Sequence, residues 1–596
     1  MKREKMDKAF QWSLEDLVGD TAQWEADFQR LTGCIASLQA FEGRLGEEKA
    51  LKEALDSLFE AEYLTSKLFA YARMRRDEDN TRSEYQALTD RAQAVSVQLS
   101  AASAYITPEL LAQPVEYLTR AMENPEFSDY RVFLKEIQRS RPHTRSAEVE
   151  QIVAMTGEMG AAPDTVYSML ADADMRFPMV RDGKGGEVRL THANYIPLMM
   201  NRDREVRKSA FEGMYSTYKQ YENTIPAIYS ASVKNDLFYA RAARHQSAIE
   251  SALFPDEMPI SVYDNLIEAV HAHLPALQKY LSLCAKANGL DDPHMYDIYL
   301  PTPGSFELNL PFEEAYELII DCLKPLGEEY QQLLRKARQE RWMDVYANEG
   351  KSSGAYSWGA YGCHPFVLLN YHEDLDGLLT VAHEMGHSMH SHYSNAAQPF
   401  PTADYSLFVA EVASTVNEVL VLMELMERHP EPEARRYLLG NLLDSFRTTV
   451  FRQTMFAEFE RESHRMAEAG EALTGEALNA AYAKMNALYH APAIQQDELI
   501  AYEWMRIPHF YRAFYVYKYA TGFSAAMSLA AGIRREGEAA VKRYKQFLSA
   551  GCSVSPIEAL KLAGVDMASP APVNQALDEF SRMVDEFAGY VEGKQA

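Results

Sequence analysis

The chain has 596 residues, 86 of them acidic and 59 basic, for a formal net charge of −27. Apolar residues at 47% and charged residues at 24% exclude a mainly disordered chain, a collagen and a membrane-embedded bundle. The acidity argues against DNA or RNA as the main partner, because phosphate binding needs clustered Lys and Arg. Such a length predicts two or more lobes with room for a deep cleft. The N-terminal run Met1 to Lys8 is charged and no apolar region follows it, so no secretory signal is predicted. Tyr519 to Ile533 is apolar but too short for a bilayer span, so no membrane partner is expected. The five cysteines (Cys34, Cys284, Cys322, Cys363, Cys552) are scattered without a CxxC pair, which points to a reducing cytoplasm rather than a disulfide framework.

In chain order, Ser13 with Asp16 three residues on predicts a capped helix entry. Residues 47–107 contain no Gly or Pro and carry Leu51, Leu55, Leu58, Phe59 and Tyr63 at helical spacing, which predicts helix. Asp77-Glu78-Asp79 reads as a solvated turn. Met175 to Val180 and Glu187 to Leu190, around a Gly-rich turn, predict a small hairpin, and Thr191 caps the helix after it. The lobe boundary is placed there, giving residues 1–190 and 191–596. Residues 349–372, with Gly350, Gly354, Gly359 and Gly362, predict a Gly-rich loop feeding a strand at Phe366 to Tyr371. Within it, Cys363 and His364 are expected to pack or to sit near substrate.

His383-Glu384-Met385-Gly386-His387 follows directly, on a helix predicted to begin at Asp374 or Asp376. Histidines four apart share a helix face and can grip one Zn²⁺, with Glu384 beside them as general base. A catalytic zinc needs a third protein ligand. The metzincin pattern fails at His390 and Tyr393, and the thermolysin-like pattern fails at Ser406. The next helical run, Tyr405 to His429, carries Glu411 among Phe408, Val409, Val412 and Val416. A carboxylate on an apolar flank needs a partner, and a metal is a good one. Glu418 is a candidate acceptor for a ligand histidine. His390 and His392 are expected to be structural.

Together, Trp342 to Tyr346, Gly350 to Tyr356, Pro365 to Tyr371, the HExxH run and the Glu411 segment resemble the M3 family of zinc metallopeptidases. The resemblance implies a mainly α fold, with two helical lobes enclosing a deep substrate channel and a small β-sheet near the active site. It implies one Zn²⁺ held by His383, His387 and Glu411, short peptides as substrates, and cleavage of internal bonds with Glu384 moving the proton. It also points to Pro508 to Gly522, where His509 and one or more of Tyr515, Tyr517 and Tyr519 would donate hydrogen bonds to the tetrahedral intermediate. The Phe366 to Tyr371 strand is expected to pair with the peptide. Two rivals stay open: a helical zinc carboxypeptidase, and a non-catalytic peptide-binding protein. Oligomeric state is not set by the sequence.

Overall fold

A computed structural model of the protein describes residues 2–304, 306 and 308–593. Helices dominate, and the described residues form five short strands in two small sheets. Those used below are α1 (Thr21–Leu38), α2 (Glu48–Glu78), α3 (Ser83–Ser103), β1 (Met179–Arg181), β2 (Glu187–Arg189), α4 (Ile260–Ala287), β3 (Met343–Asp344), β4 (Tyr356–Trp358), β5 (Phe366–Leu368), α5 (Leu375–Ala397), α6 (Leu407–Arg428), α7 (Arg452–Glu468), α8 (Tyr517–Glu536) and α9 (Ala571–Val591). Among the described residues no helix is long and apolar enough to cross a membrane.

The chain forms two compact units. One comprises Met1–Pro142, Glu307–Glu424 and Leu529–Val565; the other comprises His143–Phe306, Leu425–Ser528 and Asp566–Ala596. Each gathers three separated stretches, so neither ends at a linear cut near residue 190.

In the first unit, α1, α2 and α3 bury one continuous apolar surface that includes Trp12, Trp24, Leu51, Leu55 and Leu58, and it extends to Phe366 and Leu368 of β5. The predicted helix over 47–107 is in fact broken into α2, α3 and the start of a third helix at Ile106. Asp79 leaves helical geometry and its carboxylate accepts from the Thr81 amide at 3.0 Å, an Asx turn that stops α2 and lets α3 start afresh. The Ser13 helix entry does not form either. Leu14–Asp16 is a single 3₁₀ turn without a side-chain cap, and the first full helix starts later, with Asp20 accepting from the Gln23 amide.

The Asp77-Glu78 expectation is overturned as well, since both residues are only 3% exposed. Asp77 accepts from Ser352 Oγ at 2.9 Å, Tyr356 OH at 3.0 Å and Arg73 at 3.2 Å. Glu78 accepts from Trp12 Nε1 at 2.6 Å and pairs with Arg3 at 3.0 Å. Arg3 also reaches Asp344 of β3, which in turn pairs with Lys351 at 2.7 Å. The end of α2 thus anchors the Gly-rich loop, and Asn80 adds a bond from its amide to the Gly350 carbonyl at 2.8 Å. The sheet order is β3-β5-β4, with β3 parallel and β4 antiparallel to β5.

In the second unit, β1 and β2 form the predicted hairpin, and Thr191 with Asn194 makes a capping box on the helix that follows. The long helices α4 and α9 pack along each other, and α7 also lies against α4. Buried Glu503 accepts from Arg452 at 2.8 Å and Tyr482 at 2.5 Å, which satisfies a charge that burial would otherwise penalise heavily.

Candidate active site

The candidate metal centre is built by two helices of the first unit. Asp374 caps α5, accepting from the Gly377 amide at 2.8 Å. Eight and twelve residues into the helix, His383 and His387 then share one face. Against them lies α6, and Gly386 is what allows the approach. A Cβ at that position would stand 2.5 Å from the Ser414 Cα and 2.7 Å from the Ala413 carbonyl oxygen. Buried Asn417 of α6 fixes the contact, donating to the Ala382 carbonyl at 3.1 Å and accepting from Tyr330 at 2.9 Å. Glu411 Oε2 consequently lies 3.3 Å from His383 Nε2 and 3.5 Å from His387 Nε2, and the two Nε2 atoms are 3.2 Å apart. Among the described residues this trio is the His/Cys/Asp/Glu group whose ligand atoms all fall within 4.8 Å of one another.

The outer contacts match the spacing argument. His383 Nδ1 bonds Glu418, which orients the ring and leaves Nε2 for the centre. Burial alone would lower the His383 pKa, but Glu411 and Glu418 raise it to about 10. Glu411 is held well below the usual carboxylate range by both histidines. Glu384 is only 7% exposed, and burial raises its pKa against the opposing pull of His383 and His387. Its carboxylate also meets the backbone amide of Ser357 in β4.

That contact relocates one expectation. β5 is the central strand, hydrogen-bonded on both sides, so Phe366 to Leu368 has no free edge to offer a peptide. The edge strand beside Glu384 is β4, tied to α5 by a 2.8 Å bond between the Ser357 and Ser388 hydroxyls. The sequence reasoning missed both Gly386 and β4.

His390 is buried, stacks on Tyr405 at 3.7 Å, and is pushed by burial to a pKa of about 3; it stands outside the metal group. His392 and His364 both face the Trp342 ring, at 5.9 and 4.9 Å. Burial pushes the Cys363 thiol up to about 11, a packing environment rather than a reactive one.

The other predicted residues lie in the second unit. His509, Tyr515 and Tyr519 form a half-buried cluster, with ring centroids 6.0 Å apart from His509 to each tyrosine and 5.4 Å between the tyrosines. Tyr517 is placed elsewhere. It is fully buried with its ring 5.1 Å from Tyr263, which corrects its inclusion among the donors.

A helical fold with an HExxH helix, and a carboxylate supplied by the helix after it, defines a metallopeptidase class. The Peptidase family M3 profile matches residues 197–579 and the Oligopeptidase F profile matches residues 109–177. The chain belongs to peptidase family M3. It is 42% identical over 577 residues to oligopeptidase PepF of Bacillus subtilis, covering 96% of this chain and 86% of that one. It is 38% identical over 591 residues to the group B oligopeptidase PepB of Streptococcus agalactiae, covering 99% and 98%. Among solved structures, oligoendopeptidase-F of Enterococcus faecium superimposes with a TM-score of 0.75 at 33% identity, covering 96% of this chain and 99% of that one.

Proposed function

We propose that the chain is a zinc-dependent oligoendopeptidase hydrolysing internal bonds of short peptides. The observation that carries this reading is the convergence of His383, His387 and Glu411 with Glu384 alongside. Two imidazoles and one carboxylate suit zinc and leave a fourth position open, as a catalytic site requires. Bound there, zinc supplies Lewis acidity, polarising the scissile carbonyl and making water a better nucleophile.

The rest of the chemistry belongs to the chain. Glu384 takes a proton from the attacking water and delivers it to the leaving amine. Its burial suits the first of these steps, since a carboxylate with a raised pKa is a stronger base than it would be in water. Glu418 holds His383 in the tautomer that presents Nε2. The substrate backbone pairs with the free edge of β4, which brings the scissile bond to Glu384. His509, Tyr515 and Tyr519 donate to the oxyanion.

We also place a catalytic module at 191–596 and an N-terminal one at 1–190, a division supported by family matches that fall on either side of it. The cytoplasm is the proposed compartment, with no nucleic-acid partner.

The test is an internally quenched peptide blocked at its C-terminus, assayed with and without a chelator. Cleavage that stops on chelation and returns with zinc is expected. A requirement for a free substrate carboxylate would turn the assignment to a carboxypeptidase. Failure to bind zinc stoichiometrically would favour a non-catalytic peptide binder.

A further inference from the structure

Glu460 lies midway along α7 and is completely buried in the second unit. One carboxyl oxygen accepts the backbone N–H of Phe514 at 2.7 Å, and the other, Oε2, meets no hydrogen-bond partner. Among the described residues no cation pairs with this acid. Burial raises its pKa well above the usual carboxylate range, against the smaller pull of the Phe514 amide.

Phe514 lies between the His509 turn (Pro508–Tyr511) and Tyr515, directly before the latter, and its φ is +54°. A bulky side chain adopts that conformation only where its surroundings impose it. Here the ring is held by His464 at 4.6 Å and Tyr263 at 5.8 Å, while Glu460 holds the amide. Without Glu460 that amide would be buried and unpaired, and the turn would be free to relax towards negative φ.

We infer that Glu460 is a positioning residue: it fixes the left-handed turn at Phe514 and thereby sets the relative placement of His509, Tyr515 and Tyr519. This rests on the reading of those three as oxyanion donors. Glu460 itself touches no substrate. A donor displaced by the relaxed turn weakens the transition state and leaves ground-state binding alone.

The experiment compares Glu460→Met, which fills the same volume without an acceptor, with Glu460→Gln, which retains one, in the full-length zinc-loaded enzyme. In the Met variant kcat is expected to fall by about tenfold with KM within about twofold, since loss of one whole oxyanion donor costs on the order of 10²–10³. Hydrogen exchange in the peptide spanning residues 509–519 should quicken. The Gln variant should restore both readouts. An unchanged kcat in Glu460→Met, or a tenfold loss in Glu460→Gln, overturns the role. The Gln result decides alone if the Met variant does not fold. Tyr515→Phe and Tyr519→Phe are assayed alongside. If both keep full kcat, the donor reading fails and takes the role of Glu460 with it; if they lose kcat while Glu460→Met does not, only the positioning role fails.

Discussion

Gly386→Ala is the sharpest test of how the metal group is assembled. The added methyl would lie 2.5 Å from the Ser414 Cα and 2.9 Å from the Ser414 nitrogen, both backbone atoms of α6. Carbon atoms pack at about 3.5–4.0 Å, so α6 must retreat by about 1 Å. Metal–ligand distances tolerate shifts of only about 0.2 Å. Glu411 rides on α6 and both histidines on α5, so the retreat opens the group directly. Overpacking costs about 1–3 kcal/mol, and Ala in place of Gly returns up to about 1 kcal/mol of helix propensity. Stability should therefore fall little. Zinc affinity should fall further than the roughly 10–100-fold seen on losing an outer-shell partner, because a direct ligand is displaced. Competition with a chromophoric chelator measures the affinity, and thermal melts with and without zinc measure stability. Gly532→Ala is the control, since a Cβ there meets no atom within 4 Å. It should gain about 0.5–1 kcal/mol with zinc affinity unchanged. Wild-type zinc affinity in Gly386→Ala would refute the claim that the close crossing of α5 and α6 builds the site.

Glu384→Gln should keep zinc and fold yet lose at least about 10²–10⁴ in kcat, read by peptide turnover and metal analysis; normal cleavage would remove Glu384 from the mechanism. Asp77→Ala strips the acceptor from Ser352 and Tyr356, loosening β4 and its loop. KM should rise roughly 5–30-fold, the equivalent of about 1–2 kcal/mol, with zinc content unchanged, and an unaltered KM would argue against β4 as the peptide-pairing edge. His490 is buried and its pKa is lowered by burial to about 4. The unfolded chain takes up its proton below about pH 6.5 and the folded one only below about 4, so stability contributed by neutral His490 is complete above 6.5 and lost as pH falls towards 4. The difference is about 2.5 kcal/mol between pH 7.5 and 4.5. Denaturant melts of His490→Gln should show a flatter acid limb than the parent, and identical limbs would exclude this group as a source.

What could be read from the sequence was whatever a short window contains. The 3.6-residue period marked the helices, the four-residue spacing of His383 and His387 put them on one face, and apolar flanks singled out Glu411. What escaped depends on partners far away in the chain. Asp77 and Glu78 look solvated because acidic runs usually are, yet Ser352, Tyr356 and Arg3 bury them from other segments. Gly386 reads locally as a mild helix weakness, and only the position of Ser414 shows its use. One of the misreadings carried its own correction. Phe366 to Leu369 is apolar without alternation, the pattern of a strand covered on both faces, and β5 is indeed the central strand of its sheet. Tyr515, Tyr517 and Tyr519 stand together as candidates because the family resemblance does not single one out. Tyr515 precedes α8, while Tyr517 opens the helix and Tyr519 lies within its first turn. Tyr515 and Tyr519 cluster with His509, and Tyr517 turns into the core. The donor set straddles one helix start, which is why the turn immediately before it, at Phe514, matters for where the donors stand.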